Sequence, residues 1–132
     1  MTPHIGEFGK LFPRGVDSGP GWDLDSVRAA ARELNAIVVA KAPRTVVIGP
    51  DGRAFVDIGA SPALGTAGSG DVLTGIIAGL LARNDLAFVD PVAVVAAGVW
   101  IHSRAGRLAE ADVANPTAAD IGKMVGEVLR DV

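Results

Sequence analysis

None of the 132 residues is cysteine, which excludes disulfide staples, thiolate metal sites and a cysteine nucleophile. That absence fits a reducing compartment, and the cytoplasm is the expected setting. Clusters of Lys and Arg are missing as well. Twelve basic residues stand against 15 acidic ones, for a formal net charge of -3, and the pI is near 5.2. The electrostatic footprint of a nucleic-acid binder is therefore lacking, and any anionic ligand must be held by local devices. Long apolar runs are also scarce. The longest, at residues 72–82 and 92–101, fall well short of the roughly 20 residues that cross a bilayer, so they read as buried helices and no membrane partner is expected. The opening Met-Thr-Pro-His-Ile-Gly-Glu has neither the basic region nor the hydrophobic stretch of a signal peptide.

What is present is apolar and rich in turn formers. A hydrophobic share of 49% in 132 residues suits one small domain with a single core, expected to take in residues 1–132. Asp23 or Asp25 can cap a helix through residues 26–34, with Val27, Ala30, Ala31 and Leu34 in one apolar stripe. Residues 36–41 follow as a continuous apolar run, which suits a strand buried on both faces of a parallel sheet. Residues 45–48 and 54–58 flank Gly-Pro-Asp-Gly at 49–52, where a proline presets a turn and the last glycine can take positive φ. This spacing predicts a β-hairpin.

From Ser69 the period becomes helical. Val72, Leu73, Ile76, Ile77, Leu80 and Leu81 recur at helix spacing, with Gly75 and Gly79 expected to allow close packing. Pro91 suits the first turn of a second apolar helix to about Ala109, and Asn115-Pro-Thr punctuates the chain before a last amphipathic helix to Arg130. Helix followed by buried strand is an α/β rhythm. One element stands apart: residues 1–7 look like the loop that follows a strand, with no strand ahead of them. The sheet is thus expected to be small, with an unpaired edge.

The chemistry concentrates at Gly65-Thr-Ala-Gly-Ser-Gly-Asp71. Small residues just before an apolar helix let backbone N–H groups at Ala67, Gly68, Ser69 and Gly70 converge with the helix N-terminus on a phosphate. Asp71 then falls in the first helical turn, where its carboxylate can take a proton from a hydroxyl. Taken alone, the same glycines make a tight turn and Asp71 supports the helix dipole, about as often. The longer string Gly-Thr-Ala-Gly-Ser-Gly-Asp-Val-Leu-Thr-Gly resembles the glycine-rich signature of the ribokinase-like superfamily, and within it the ADP-dependent NAD(P)H-hydrate dehydratases. Thr-Pro-His-Ile-Gly-Glu-Phe at 2–8 is similar to that family's Thr-Pro-His-Pro-Gly-Glu-Phe, with Ile5 at the usual proline. Lys-Ala-Pro-Arg-Thr at 41–45 looks like its Lys-Gly-x-x-Thr nucleotide loop, with Ala42 at the glycine.

The resemblance implies a ribokinase-like fold, with Rossmann-like α/β/α layers. Of these the chain would supply the C-terminal portion, with a β-hairpin and three C-terminal helices, and would lack the family's N-terminal half. It implies dehydration of hydrated NADH or NADPH at the expense of ADP or ATP, with Mg2+ to offset charge. Asp71 would be the catalytic base and a substrate contact. Gly70 and Lys41, Ala42, Pro43, Arg44 and Thr45 would line the nucleotide site, with His4 touching substrate. His4 has a plainer reading, a ring bonded to its own turn. Glu7 is either an orienting or metal-water-placing acid or a solvated acid in a first helical turn. No metal-ligand set is expected. His102, on an apolar helix with Trp100 and Ile101, reads as packing with a satisfied ring nitrogen. The implied partners are an N-terminal half or a second copy, and an NAD(P)H-hydrate epimerase working alongside. A small-alcohol kinase of the same superfamily and a non-catalytic nucleotide-binding fragment are the alternatives.

Overall fold

The computed structural model describes residues 1–12, 23–83, 85 and 88–131. They fall into two compact units, residues 1–56 and 57–132.

In the first unit, helix α1 (Ile5–Leu11) and helix α2 (Leu24–Glu33) accompany strands β1 (Val38–Ala40), β2 (Thr45–Ile48) and β3 (Ala54–Asp57, ending at the boundary). Asp23 is the residue that caps α2, accepting from the amides of Asp25 and Ser26. Val27, Ala30 and Ala31 are buried, as their spacing predicts, whereas Leu34 is 44% exposed. The cause is local. Leu34 is the C-cap, where the chain turns through Asn35 at φ 46, so the stripe stops one turn early. Phe8 from α1 packs with Val27, Ala30, Ala31, Val38, Ala40, Val46 and Ile48 as this unit's apolar cluster.

The sheet runs β1-β2-β3. The hairpin between β2 and β3 forms where expected: Gly52 sits at φ +87, and the Gly49 amide donates to the Arg53 carbonyl at 2.9 Å. All three residues of β1 are buried, but its pairing with β2 is antiparallel, with Val39 opposite Val47. The expected parallel partner lies on the other side. Val39 N–H donates to the Met1 carbonyl at 2.8 Å and Lys41 N–H to the Pro3 carbonyl at 2.9 Å, and His4 bridges Lys41 in parallel sense. Residues 1–3 therefore pair along the other edge of β1.

In the second unit a turn of 3-10 helix at Pro62–Gly65 precedes α3 (Ser69–Leu81), α4 (Pro91–Asp112) and α5 (Ala118–Arg130). Pro91 occupies the first turn of α4 behind the N-cap Asp90. Thr117 and Asp120 form a capping box on α5. Ile101, Ala105, Ala109, Ile121 and Val128 make the apolar cluster, with Leu64, Val72 and Ile76 against it. The sequence places the close approach between helices at Gly75 and Gly79, yet a Cβ at either would meet nothing within 4 Å. It lies instead at Gly98 of α4, where a Cβ would stand 3.0 Å from Ile77 Cγ1. Periodicity identifies a helix but not which neighbour's surface is the flat one. No described helix is long and apolar enough to cross a membrane.

Candidate active site

The second unit carries the glycine-rich turn. Ser61 caps the 3-10 turn, its Oγ accepting from the Ala63 amide at 3.1 Å and donating to Glu110 Oε2 at 2.5 Å. The chain then passes Thr66 and Ala67 to Gly68, which takes φ +84 as the N-cap of α3 and offers no side chain to cap it. That left-handed angle costs an L-residue about 1–2 kcal/mol, so glycine belongs there. Ser69 N–H donates to the Thr66 carbonyl at 3.2 Å, and the amides of Asp71 and Val72 turn back to the Gly68 carbonyl at 3.0 and 3.2 Å. Among the described residues, the amides of Ala67, Gly68 and Gly70 meet no protein acceptor. Three orphan donors at a helix N-terminus, beside the positive end of its dipole, are what an anion binds.

Asp71 sits in the first turn of α3, exposed. Its position beside those amides suits a base acting on a hydroxyl next to a bound phosphate. Ser69 departs from the expected pattern. Its amide is used within the turn, and its side chain, 2% exposed, reaches His102 Nε2 at 3.0 Å. His102 is buried on α4, packed with a satisfied ring nitrogen as expected. The partner it would choose was not legible, because 33 residues separate the pair and no local spacing links them.

The first unit carries the remaining residues singled out from the sequence. His4 caps α1: its Nδ1 accepts from the Gly6 amide at 3.0 Å and the Glu7 amide at 3.4 Å. Glu7 Oε2 accepts in return from the His4 amide at 2.8 Å, completing a capping box. An accepting Nδ1 leaves the proton of the neutral ring on Nε2, which faces Glu7 Oε1 at 3.5 Å. The ring is thus bonded to its own turn, and Glu7 is an exposed acid of the first helical turn. Ile5 takes the first helical position, where proline is favoured and costs nothing. The His4 amide holds the Glu7 carboxyl below its ordinary range, desolvation opposes this, and the charges of Lys41 and Lys10 assist.

Lys41 lies beside His4 in the parallel bridge, so His4, Glu7 and Lys41 come together. The loop after it closes when Thr45 Oγ1 donates to the Ala42 carbonyl at 3.2 Å. Ala42 is not among the residues with positive φ, so alanine in place of glycine carries no left-handed strain. Pro43 and Arg44 are exposed. Thr2, Pro3, Glu7, Lys10 and Leu11 line an open groove on this unit.

Solved structures identify the class to which this fold belongs. A ribokinase-like superfamily protein from Enterococcus faecalis superposes with a TM-score of 0.80 at 25% identity, covering 98% of this chain and 43% of that one. The chain therefore has a ribokinase-like α/β fold. Within that class, the carbohydrate-kinase family described as NAD(P)H-hydrate dehydratase matches residues 1–125, and the chain belongs to it. Over 110 residues it is 44% identical to the bifunctional NAD(P)H-hydrate repair enzyme Nnr of Thermosynechococcus vestitus, a match covering 83% of this chain and 21% of that enzyme. It is also similar to the ADP/ATP-dependent NAD(P)H-hydrate dehydratase of Bacillus subtilis, co-crystallised with ATP/Mg2+ and soaked with CoA. There the TM-score is 0.80 at 27% identity, covering 98% of this chain and 47% of that one. The chain spans about a fifth of that repair enzyme and just under half of those solved structures. Membership in this family does not favour the small-alcohol kinase.

Proposed function

We propose that this chain supplies the nucleotide-handling and proton-abstracting portion of an ADP-dependent NAD(P)H-hydrate dehydratase. The observation that carries the reading is the first turn of α3, where Asp71 stands beside the acceptor-less amides of Ala67, Gly68 and Gly70. A ring hydroxyl is a poor leaving group. Asp71 takes its proton while the oxygen attacks the terminal phosphorus of ADP, the bond to the AMP oxygen breaks, and a phosphate ester forms. Loss of inorganic phosphate with a proton from the neighbouring ring carbon then restores the double bond of NAD(P)H. The amide cluster stabilises the charge that builds on the phosphoryl oxygens, a contribution usually worth a few kcal/mol for each well-aimed donor.

Lys41, Ala42, Pro43, Arg44 and Thr45 form the nucleotide loop of this reading. Gly70 is a further nucleotide contact of this reading, and the Ser69 amide completes the cradle only if its bond to Thr66 opens. His4 contributes a substrate contact through Nε2, the ring atom left over from capping, and Glu7 fixes the ring that presents it. Mg2+ fits this site as a passenger of the nucleotide. Among the described residues no three His or carboxylate side chains converge on a metal position, and Mg2+ commonly takes one or two carboxylates, with phosphates and water as its other ligands. When bound, the ion offsets phosphate charge. Nucleotide phosphates and water would hold the ion, leaving the Asp71 carboxylate to act on the hydroxyl.

The share of its relatives that the chain covers supports reading it as one portion of the catalytic domain, acting with the remaining portion or with a second copy. The bifunctional relative supports pairing with an NAD(P)H-hydrate epimerase, in the cytoplasm where reduced dinucleotides turn over. The same coverage favours one second reading, a fragment that binds nucleotide without turnover. Incubating the purified chain with hydrated NADH, ADP and Mg2+ separates the two. Return of the reduced-nicotinamide absorbance supports the dehydratase, and ADP binding without recovery supports the fragment.

A further inference from the structure

His102 lies in the middle of α4, 6% exposed, on a helix whose other buried residues are apolar or small. A buried imidazole costs desolvation unless it is bonded, and core packing alone would be served by leucine. Its Nε2 meets Ser69 Oγ at 3.0 Å. Ser69 is the first residue of α3, where a serine side chain commonly stays in solvent or bonds the local backbone. Here it points inward and is 2% exposed. The neighbours on either side of Ser69 in sequence are Gly68 and Gly70, whose amides meet no protein acceptor among the described residues, and Asp71 comes next.

Two bonds therefore hold Ser69. Its amide donates to the Thr66 carbonyl at 3.2 Å, and its hydroxyl is tied to α4. The first bond shapes the turn, but only the second refers that turn to another element. Without it the turn keeps its own backbone bonds but loses its hydrogen bond to α4, and an anion cradle aimed loosely loses most of its value. We infer that His102 is a positioning residue which, through Ser69, fixes the first turn of α3 and so aims the amides of Gly68 and Gly70 and the carboxylate of Asp71. This rests on the function proposed above, since it concerns the same turn.

The test compares the whole chain with His102→Leu, which keeps volume and loses the ring nitrogen, and with His102→Gln, whose terminal amide reaches about as far as Nε2. Inorganic phosphate is titrated into each while the backbone amide signals of Gly68 and Gly70 are followed by NMR. In the unaltered chain both amides should shift. In His102→Leu the phosphate-induced shifts should shrink and the half-saturation point rise about tenfold, with His102→Gln restoring most of both. In the dehydration assay kcat should fall by about tenfold to a hundredfold in His102→Leu, as small misplacements of reacting groups commonly do, with KM for the hydrated dinucleotide within twofold. Ser69→Ala should reproduce that loss, and the double variant should add nothing to it. No phosphate-induced shift in the unaltered chain would overturn the proposed anion site itself. Shifts that are normal there and unchanged in a folded His102→Leu would overturn the positioning role alone.

Discussion

Gly68 bears two constraints at once. Its φ of +84 lies where L-residues are strained, and a Cβ there would stand 3.2 Å from Ala118 Cβ. Gly68→Ala is expected to cost about 1–2 kcal/mol from the backbone angle alone, read as a lower urea midpoint, and to weaken phosphate binding at the same turn. A midpoint equal to that of the parent chain would contradict the left-handed angle. At this scale the sequence is informative because the constraint is local. Glycine at 52 and 68, proline at 91 and aspartate at 23 each answer a backbone need at their own position. In sequence Ser69 reads as a contributor of an amide alone, since nothing near it in the chain announces a hydroxyl bonded to a histidine on another helix.

At the scale of elements, the two outward glycines of α3 and the inward glycines of α4 should respond oppositely to alanine. Gly75 and Gly79 have open space where an added methyl would stand, so Gly75→Ala and Gly79→Ala should each stabilise the chain by about 1 kcal/mol through helix propensity. Gly106 packs under Leu64, whose Cδ2 would lie 2.5 Å from an added Cβ. Gly106→Ala should destabilise by about 1–2 kcal/mol, overpacking outweighing propensity. Urea unfolding of the three variants decides it, and equal signs would contradict the packing described. Helix α1 gives a pH dependence. The Glu7 carboxyl titrates below its ordinary value of 4.5 when folded, so its contribution is present above that value and is lost as pH falls through the folded one. Glu7→Gln keeps an acceptor at the capping box without a charge, and should flatten the decline of melting temperature below about pH 4.5. Persistence of the full decline would assign it to other carboxylates. Element types and most boundaries are readable from periodicity and caps. Pairing sense is not: a run such as Val38–Ala40, buried on both faces, looks alike with parallel and antiparallel neighbours.

For the whole molecule, two apolar clusters are built from separate stretches of chain, one around Phe8 and β1 and one around Ile101 and Ile121. The residues singled out from the sequence divide the same way: His4, Glu7 and Lys41 to Thr45 lie in the first unit, and Ala67 to Asp71 in the second. Family membership is legible because three motifs occur in order along the chain. The role of Asp71 is the claim on which the others depend, and the rate at which hydrated NADH regains its reduced-nicotinamide absorbance with ADP and Mg2+ tests it most directly. Recovery is expected with the parent chain. With Asp71→Asn, turnover should be lower by at least about a hundredfold, the range over which a positioned base commonly acts, while ADP affinity stays within a few-fold. Equal turnover by the parent chain and Asp71→Asn would contradict that role.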